Sequence, residues 1–106
     1  DVAICFLVLM FIPPERREKL MERLRASRKK GGAIIVFDKF ESPYGYIGTV
    51  MWRLALAGKV ATGVDATDII QKELSLMGTQ RPLMQNETTD MTKVFQFGNF
   101  AGWVID

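Results

Sequence analysis

At 106 residues the chain has the size of one domain, and 48% hydrophobic against 25% charged residues make it globular rather than disordered. A net charge of +2 names no partner. The absence of histidine excludes Ser-His and Cys-His nucleophile pairs, histidine metal ligands and a histidine base, and a single cysteine, Cys5, excludes an internal disulfide.

Residues 2–10, VAICFLVLM, read as a first strand. The apolar run from Val2 to Ile12 is too short to span a bilayer. It also lacks the basic leader and the small-residue cleavage site of a signal peptide. Pro13 and Pro14 then open a helix, where a missing backbone donor costs little. Leu20, Met21 and Leu24 give that helix a narrow apolar stripe, so one side is expected on the sheet and the other in water. Its charge is uneven, with eight basic residues against three acidic ones between Glu15 and Lys30. Gly31 or Gly32 is the expected left-handed cap, and Ala33 to Phe37 the second strand. Strand, helix, strand is a βαβ unit, whose right-handed crossover makes the two strands parallel. Runs this continuous in Val, Ile, Leu and Phe suggest strands covered on both faces.

Asp38 to Gly45 reads as a loop, followed by a helix from about Tyr46 to Ala57, with Ile47, Val50, Met51 and Leu54 at helical spacing and Gly58 ending it. Asp65 is the expected N-cap of a third helix over Ala66–Met77, with Asp68 in the capping-box position and Gly78 closing the helix. Thr79 to Thr92, with Pro82, reads as an irregular linker returning to the sheet. Lys93–Phe97 and Phe100–Ile105 form two strands around a Gly98-Asn99 hairpin turn. The fold class is therefore α/β in one domain, in the order β-α-β-α-α-β-β. Two parallel strands end in a C-terminal antiparallel hairpin, a partial Rossmann-like sheet.

Candidate site residues follow from this order. Ligands of open α/β sheets sit beyond the carboxyl ends of the strands. Phe6 and Leu7 lie at that end of the first strand, as cofactor wall or as core. Asp38 and Lys39 end the second strand, as substrate contacts or as a solvated pair. Tyr44, Tyr46 and Trp52 would stack on a base or pack the loop and helix. Glu73, if buried, requires a cation, for which Arg53 or Arg81 are the candidates. Nothing near Cys5 in sequence would activate its thiol. The residues suggest no metal site. The basic helix offers weak nucleic-acid binding at most, because Glu15, Glu18 and Glu22 interrupt its charge.

The segments AICFLVLMFIPPERR, GGAIIVFDKF, KVATG with DIIQKE, and VFQFGNFAGWVI together resemble the carboxy-S-adenosylmethionine synthase family and related class I S-adenosylmethionine-dependent methyltransferases. The resemblance covers almost the whole chain and is poorest from Thr79 to Thr92. It implies the C-terminal, substrate-facing half of such a fold, with S-adenosylmethionine as the cofactor of the intact enzyme. No glycine-rich turn after a strand occurs here, so the half that carries it is expected upstream, and this chain alone is expected to be inactive. A family asparagine that touches the cofactor falls on Phe6. A family arginine that binds the carboxylate of the carboxylated cofactor falls on Glu73, which reverses the charge and disfavours the synthase reaction. Methyl transfer to a nucleophile near Asp38 to Trp52 survives that objection.

Without an upstream neighbour, Val2 to Met10 would be a bare apolar edge. It is then expected to pair with a second copy, making a homodimer, or to be covered by the N-terminal half. The alternative reading is a non-catalytic dimerisation or partner-binding module. A membrane partner is not expected, and the cysteine usage suggests the cytoplasm.

Overall fold

The computed structural model describes residues 1–106. It is α/β, with strands β1 (Val2–Phe6), β2 (Ala33–Lys39), β3 (Thr92–Phe97) and β4 (Phe100–Ile105) and helices α1 (Pro14–Ser27), α2 (Gly45–Ala61) and α3 (Ala66–Leu76). Two single 3-10 turns, Leu9–Phe11 and Gln85–Glu87, are added to the expected elements. The sheet order is β1-β2-β4-β3. β1 and β2 are parallel, while β4 runs antiparallel to both β2 and β3. No helix is long and apolar enough to cross a membrane.

Alternation along the strands divides the sheet into two unlike faces. Cys5, Ile34, Val36, Ala101, Trp103 and Ile105 point to one face and form the core with Leu9, Met21, Phe40 and Leu83. Leu20 and Leu24 of α1 pack against that core, as the stripe on α1 requires. The opposite face carries Val2, Ile4, Phe6 and Ile35, all exposed. The expectation of strands covered on both faces is therefore corrected: α1 covers one face only. On the open face the aromatic rings cover one another. Phe37 stacks on Phe6 at 5.0 Å, on Phe95 at 5.9 Å and on Phe100 at 6.0 Å between ring centroids. Gly102 lies between Phe95 and Phe37, where an added Cβ would meet them at 3.6 and 3.7 Å.

Other boundaries also differ from the sequence reading. β1 ends at Phe6 rather than Met10, because Leu7 turns left-handed at φ 54° and Leu9–Phe11 coils into a turn. α1 stops at Ser27, before the run Arg28-Lys29-Lys30, and Gly31 makes a separate turn with φ 79°. α2 runs through Gly58 to Ala61, and Gly63, at φ 89°, takes the left-handed position beyond it. Asp65 caps α3 by accepting from the Thr67 amide at 2.9 Å, without Asp68. The linker does return to the sheet, where Leu83 pairs with Phe40 and is buried.

α2 and α3 stand off the carboxyl ends of β1 and β2. α2 buries no residue and α3 buries only Ile69. This arm stretches the molecule to 47 × 24 × 24 Å. β1 is an edge strand, with β2 as its one neighbour.

Candidate functional site

Where β1 and β2 end, the sheet meets the arm around a cavity of about 310 Å³. Leu7, Met10 and Phe11 come from the turn after β1, Lys39 from the end of β2 and Phe100 from the start of β4. Trp52, Leu56 and Lys59 from α2 and Lys72, Glu73 and Leu76 from α3 close the opposite side. Trp52, Ala55, Leu56 and Lys59 follow the spacing i, i+3, i+4, i+7, so one stripe of α2 delivers them together.

Lys39 is the polar centre of this cavity. It is half-buried, and its ammonium donates to Gln80 Oε1 at 2.8 Å. The same nitrogen lies 5.8 Å from the centroid of the Phe100 ring, within cation–π range. Burial lowers its pKa below the ordinary lysine value of 10.5; Glu73 opposes the shift, while Lys59 and Lys72 add to it. The ion pairs of the chain, Arg17–Glu87 and Arg25–Asp90, include none of these groups. Glu73 therefore has neither Arg53 nor Arg81 as a salt-bridge partner. The cation whose titration it influences is Lys39.

Of the residues singled out in the sequence, Leu7, Lys39, Trp52 and Glu73 meet in this cavity. Phe6 lies next to it on the open face, 58% exposed and stacked on Phe37. Tyr44 lines a different cavity, of about 490 Å³, with Phe40, Lys93 and Trp103. Tyr46 is 81% exposed. Asp38 is corrected. Its side chain points to the core face and is fully buried, and its oxygens accept from the Met10 amide at 3.3 Å and the Lys39 amide at 2.9 Å. It anchors the turn after β1 and is not the solvated strand-end residue of the sequence reading. Burial raises its pKa above 3.8, against the pull of those amides and of Arg17. Burial and Asp38 also push the Cys5 thiol up, which disfavours the nucleophilic thiolate.

Sequence reasoning missed Lys59, Lys72, Gln80 and Phe100 as site residues. The helical stripe through Trp52 was the one available signal for Lys59. The others converge only through tertiary structure.

No protein-family model matches the chain. Among curated proteins it is similar to several carboxy-S-adenosyl-L-methionine synthases. The protein from Ectopseudomonas mendocina is 34% identical over 95 residues, which is 90% of this chain and 38% of that protein. The protein from Staphylococcus epidermidis is 27% identical over 97 residues, 92% of this chain and 42% of its own length. The protein from Actinobacillus succinogenes is 28% identical over 103 residues, 97% of this chain and 43% of its own. The chain thus spans about 40% of the length of these relatives and matches their C-terminal part.

Proposed function

We propose that this chain, a relative of the carboxy-S-adenosyl-L-methionine synthases, forms the substrate-facing part of an S-adenosylmethionine-dependent methyltransferase. The observation that carries this reading is the cavity beyond the carboxyl ends of the parallel pair β1 and β2, where Leu7, Lys39, Trp52 and Glu73 meet. A sheet ordered β1-β2-β4-β3, with an antiparallel last strand inserted beside β2, supports the methyltransferase type of sheet.

The residues present suit one wall of a cofactor site. Leu7 and the exposed ring of Phe6 offer apolar surface at the strand end, and no glycine-rich phosphate or ribose loop follows a strand in this sequence. Bound S-adenosylmethionine would supply an electrophilic methyl group. The chain's own residues would hold and orient the acceptor, which is the main catalytic task in such a transfer. Trp52 and Phe100 would clamp an apolar body between arm and sheet. Lys39 would fix its polar end. Glu73 places a carboxylate in the cavity, which opposes a second carboxylate on the cofactor and favours plain methyl transfer over the synthase reaction.

A hybrid tests the reading. This chain replaces the matching C-terminal segment of the Ectopseudomonas mendocina synthase, and the hybrid is titrated calorimetrically with S-adenosylhomocysteine. Saturable micromolar binding, lost on Leu7→Arg, is expected. A cooperatively folded hybrid that gives no heat at millimolar ligand overturns it.

The unpaired edge of β1 favours a second reading, a non-catalytic module that associates through that edge. Binding of the cofactor by the hybrid separates the two.

A further inference from the structure

The end of the sheet away from the arm carries a second charged cavity. α1 stops at Ser27, and residues 28–32 lead from it into β2. Arg25, Arg28, Lys29 and Lys30 line a cavity of about 510 Å³ together with Gly32 and with Asp106, which follows β4. No apolar side chain borders it. It sits at the amino end of β2, so the seven residues of that strand separate it from the strand-end cavity by on the order of 20 Å. Glu15, Glu18 and Glu22, which interrupt the charge of α1 in sequence, are not among its walls.

Arg25 is committed to Asp90, whereas Arg28, Lys29 and Lys30 take part in no salt bridge. Lys29 and Lys30 are exposed and need no partner but water. Arg28 differs. It is half-buried, and its Nη1 is shut off from solvent with no hydrogen-bond acceptor in the protein. A buried donor on a charged group is costly to leave unpaired. The turn fixes this side chain. The Gly32 amide donates to the Lys29 carbonyl at 2.9 Å, and a Cβ on Gly32 would come within 3.1 Å of Arg28 Cγ and 2.7 Å of the Asp1 carbonyl oxygen. Glycine at this position lets the chain close over the stem of Arg28.

We propose that this cavity binds phosphate groups, with the Arg28 guanidinium as the forked contact and Lys29 and Lys30 as supporting charges. An anion against the guanidinium compensates the charge that the protein leaves without an acceptor. Three cations free of salt bridges, set against Asp106, suit a pyrophosphate or two successive backbone phosphates better than a single carboxylate. With no apolar wall, whatever carries the phosphate stays in water, so the site reads the phosphate and not its bearer. Two ligands share that chemistry, the phosphodiester backbone of RNA and a free oligophosphate. The inference is independent of the strand-end cavity and of methyl transfer.

The experiment uses the 106-residue chain as it is. Pyrophosphate, an oligouridylate and acetate are titrated at fixed ionic strength while the backbone amides and the arginine Nε–H groups are followed by NMR. Pyrophosphate and the oligouridylate are expected to shift the Arg28 Nε–H and the Gly31 and Gly32 amides saturably, and acetate to shift them at least tenfold more weakly. Arg28→Gln should lower pyrophosphate affinity about tenfold, the loss of a charge-assisted contact. Arg28→Lys should recover only part of that loss, because it restores the charge without the fork. Asp106→Asn should raise affinity several-fold. The double variant Lys29→Gln, Lys30→Gln changes two exposed side chains, so it stays informative if Arg28→Gln does not fold, and it too should weaken binding several-fold. Arg16→Gln and Arg23→Gln, on α1 but outside the cavity, should change nothing. An oligouridylate that binds more tightly than pyrophosphate, with an affinity that falls steeply as salt is raised, identifies RNA as the source; the reverse order identifies a free oligophosphate. Acetate binding as tightly as pyrophosphate overturns the inference. So do the absence of saturable shifts at millimolar pyrophosphate, and binding that the variants of Arg28, Lys29 and Lys30 leave unchanged.

Discussion

The guanidinium of Arg17 donates to both carboxylate oxygens of Glu87, at 3.0 and 2.9 Å, across 70 positions of sequence. The same side chain donates to the Ile12 carbonyl at 2.9 Å and to the Arg81 carbonyl at 2.6 Å. One residue of α1 thus ties together the entry to its own helix and two points, Arg81 and Glu87, of the segment that returns to the sheet. Glu87 reinforces this by accepting from the Met84 amide at 2.8 Å.

Removing Arg17 should therefore loosen the linker as well as α1. Its side chain is 5% exposed and that of Glu87 is 23% exposed, so the pair is largely withdrawn from solvent. Arg17→Met leaves the Glu87 carboxylate and two carbonyls without their partner and should cost about 3 kcal/mol. Glu87→Gln keeps one acceptor and the bonds to the carbonyls, and should cost about 1 kcal/mol. Urea unfolding of the two variants and of the double variant checks both values and their coupling.

Leu7 is the one residue other than glycine with positive φ, at 54°. Its amide donates to the Phe37 carbonyl at 2.8 Å, so it cannot relax without losing the last rung between β1 and β2. A left-handed conformation costs an L-residue about 1–2 kcal/mol, and glycine is spared that cost. Leu7→Ala keeps the strain and loses the side-chain packing, whereas Leu7→Gly loses the packing and the strain together. We expect the glycine variant to be more stable than the alanine variant by about 1 kcal/mol, the reverse of the usual order. An alanine variant equal to or better than glycine in urea unfolding would refute this.

Asp38 gives a pH signature of definite sign. Burial lifts its folded-state pKa above 3.8, so the folded state holds this proton more tightly than the unfolded chain does. Its contribution is fully present below the unfolded value of 3.8 and is lost as pH rises through the raised folded value. Asp38→Asn cannot titrate, and its NH2 group must face one of the two amides that Asp38 accepts from. The wild type should thus gain stability relative to Asp38→Asn as pH is lowered from neutrality towards 4. Unfolding free energies for both proteins over that range test it, and a difference that does not change with pH contradicts the assignment.

Element order was legible because it rests on local signals. Apolar runs, the proline pair, Asp65 as N-cap and the Gly98-Asn99 turn locate the strands and helices without tertiary information. Helix ends were harder to read. An added Cβ at Gly58 would meet nothing within 4 Å and Gly58 stays within α2, and the left-handed stops lie at Gly63 beyond α2 and Gly78 beyond α3. A glycine in sequence does not reveal whether its φ is positive. Arg17 looked like one of eight solvated cations on a basic helix, yet it is buried, because its partners come from the polar linker that carried no periodic signal. The site was half legible. Leu7 and Lys39 follow from the rule about strand ends and Trp52 from its aromatic character, but Lys72, Gln80 and Phe100 join them only when the arm folds over the sheet. Asp38 and Lys39 are neighbours in sequence and sit on opposite faces, as strand alternation dictates.

The edge of β1 leads to a prediction about assembly. The Leu7 amide donates to Phe37, and the Asp1 carbonyl accepts from the Ala33 amide, so odd-numbered residues of this strand bond to β2. Alternation then leaves the backbone groups of Val2, Ile4 and Phe6 directed outward. Their side chains are exposed too, at 56%, 69% and 58%. An unpaired apolar edge of this kind is a template for another strand. We expect the chain to sediment above its monomer mass of 12.0 kDa at micromolar concentration. Ile4→Pro removes one outward donor and no bond to β2, a substitution an edge strand tolerates. It should return the chain to a monomer with unchanged far-UV circular dichroism. A wild-type chain that sediments as a monomer would remove self-pairing and leave the edge to an upstream segment or to a different polypeptide. A folded Ile4→Pro variant that still associates would move the contact to the exposed helices of the arm, where Leu54, Ile70 and Leu74 are the first residues to replace.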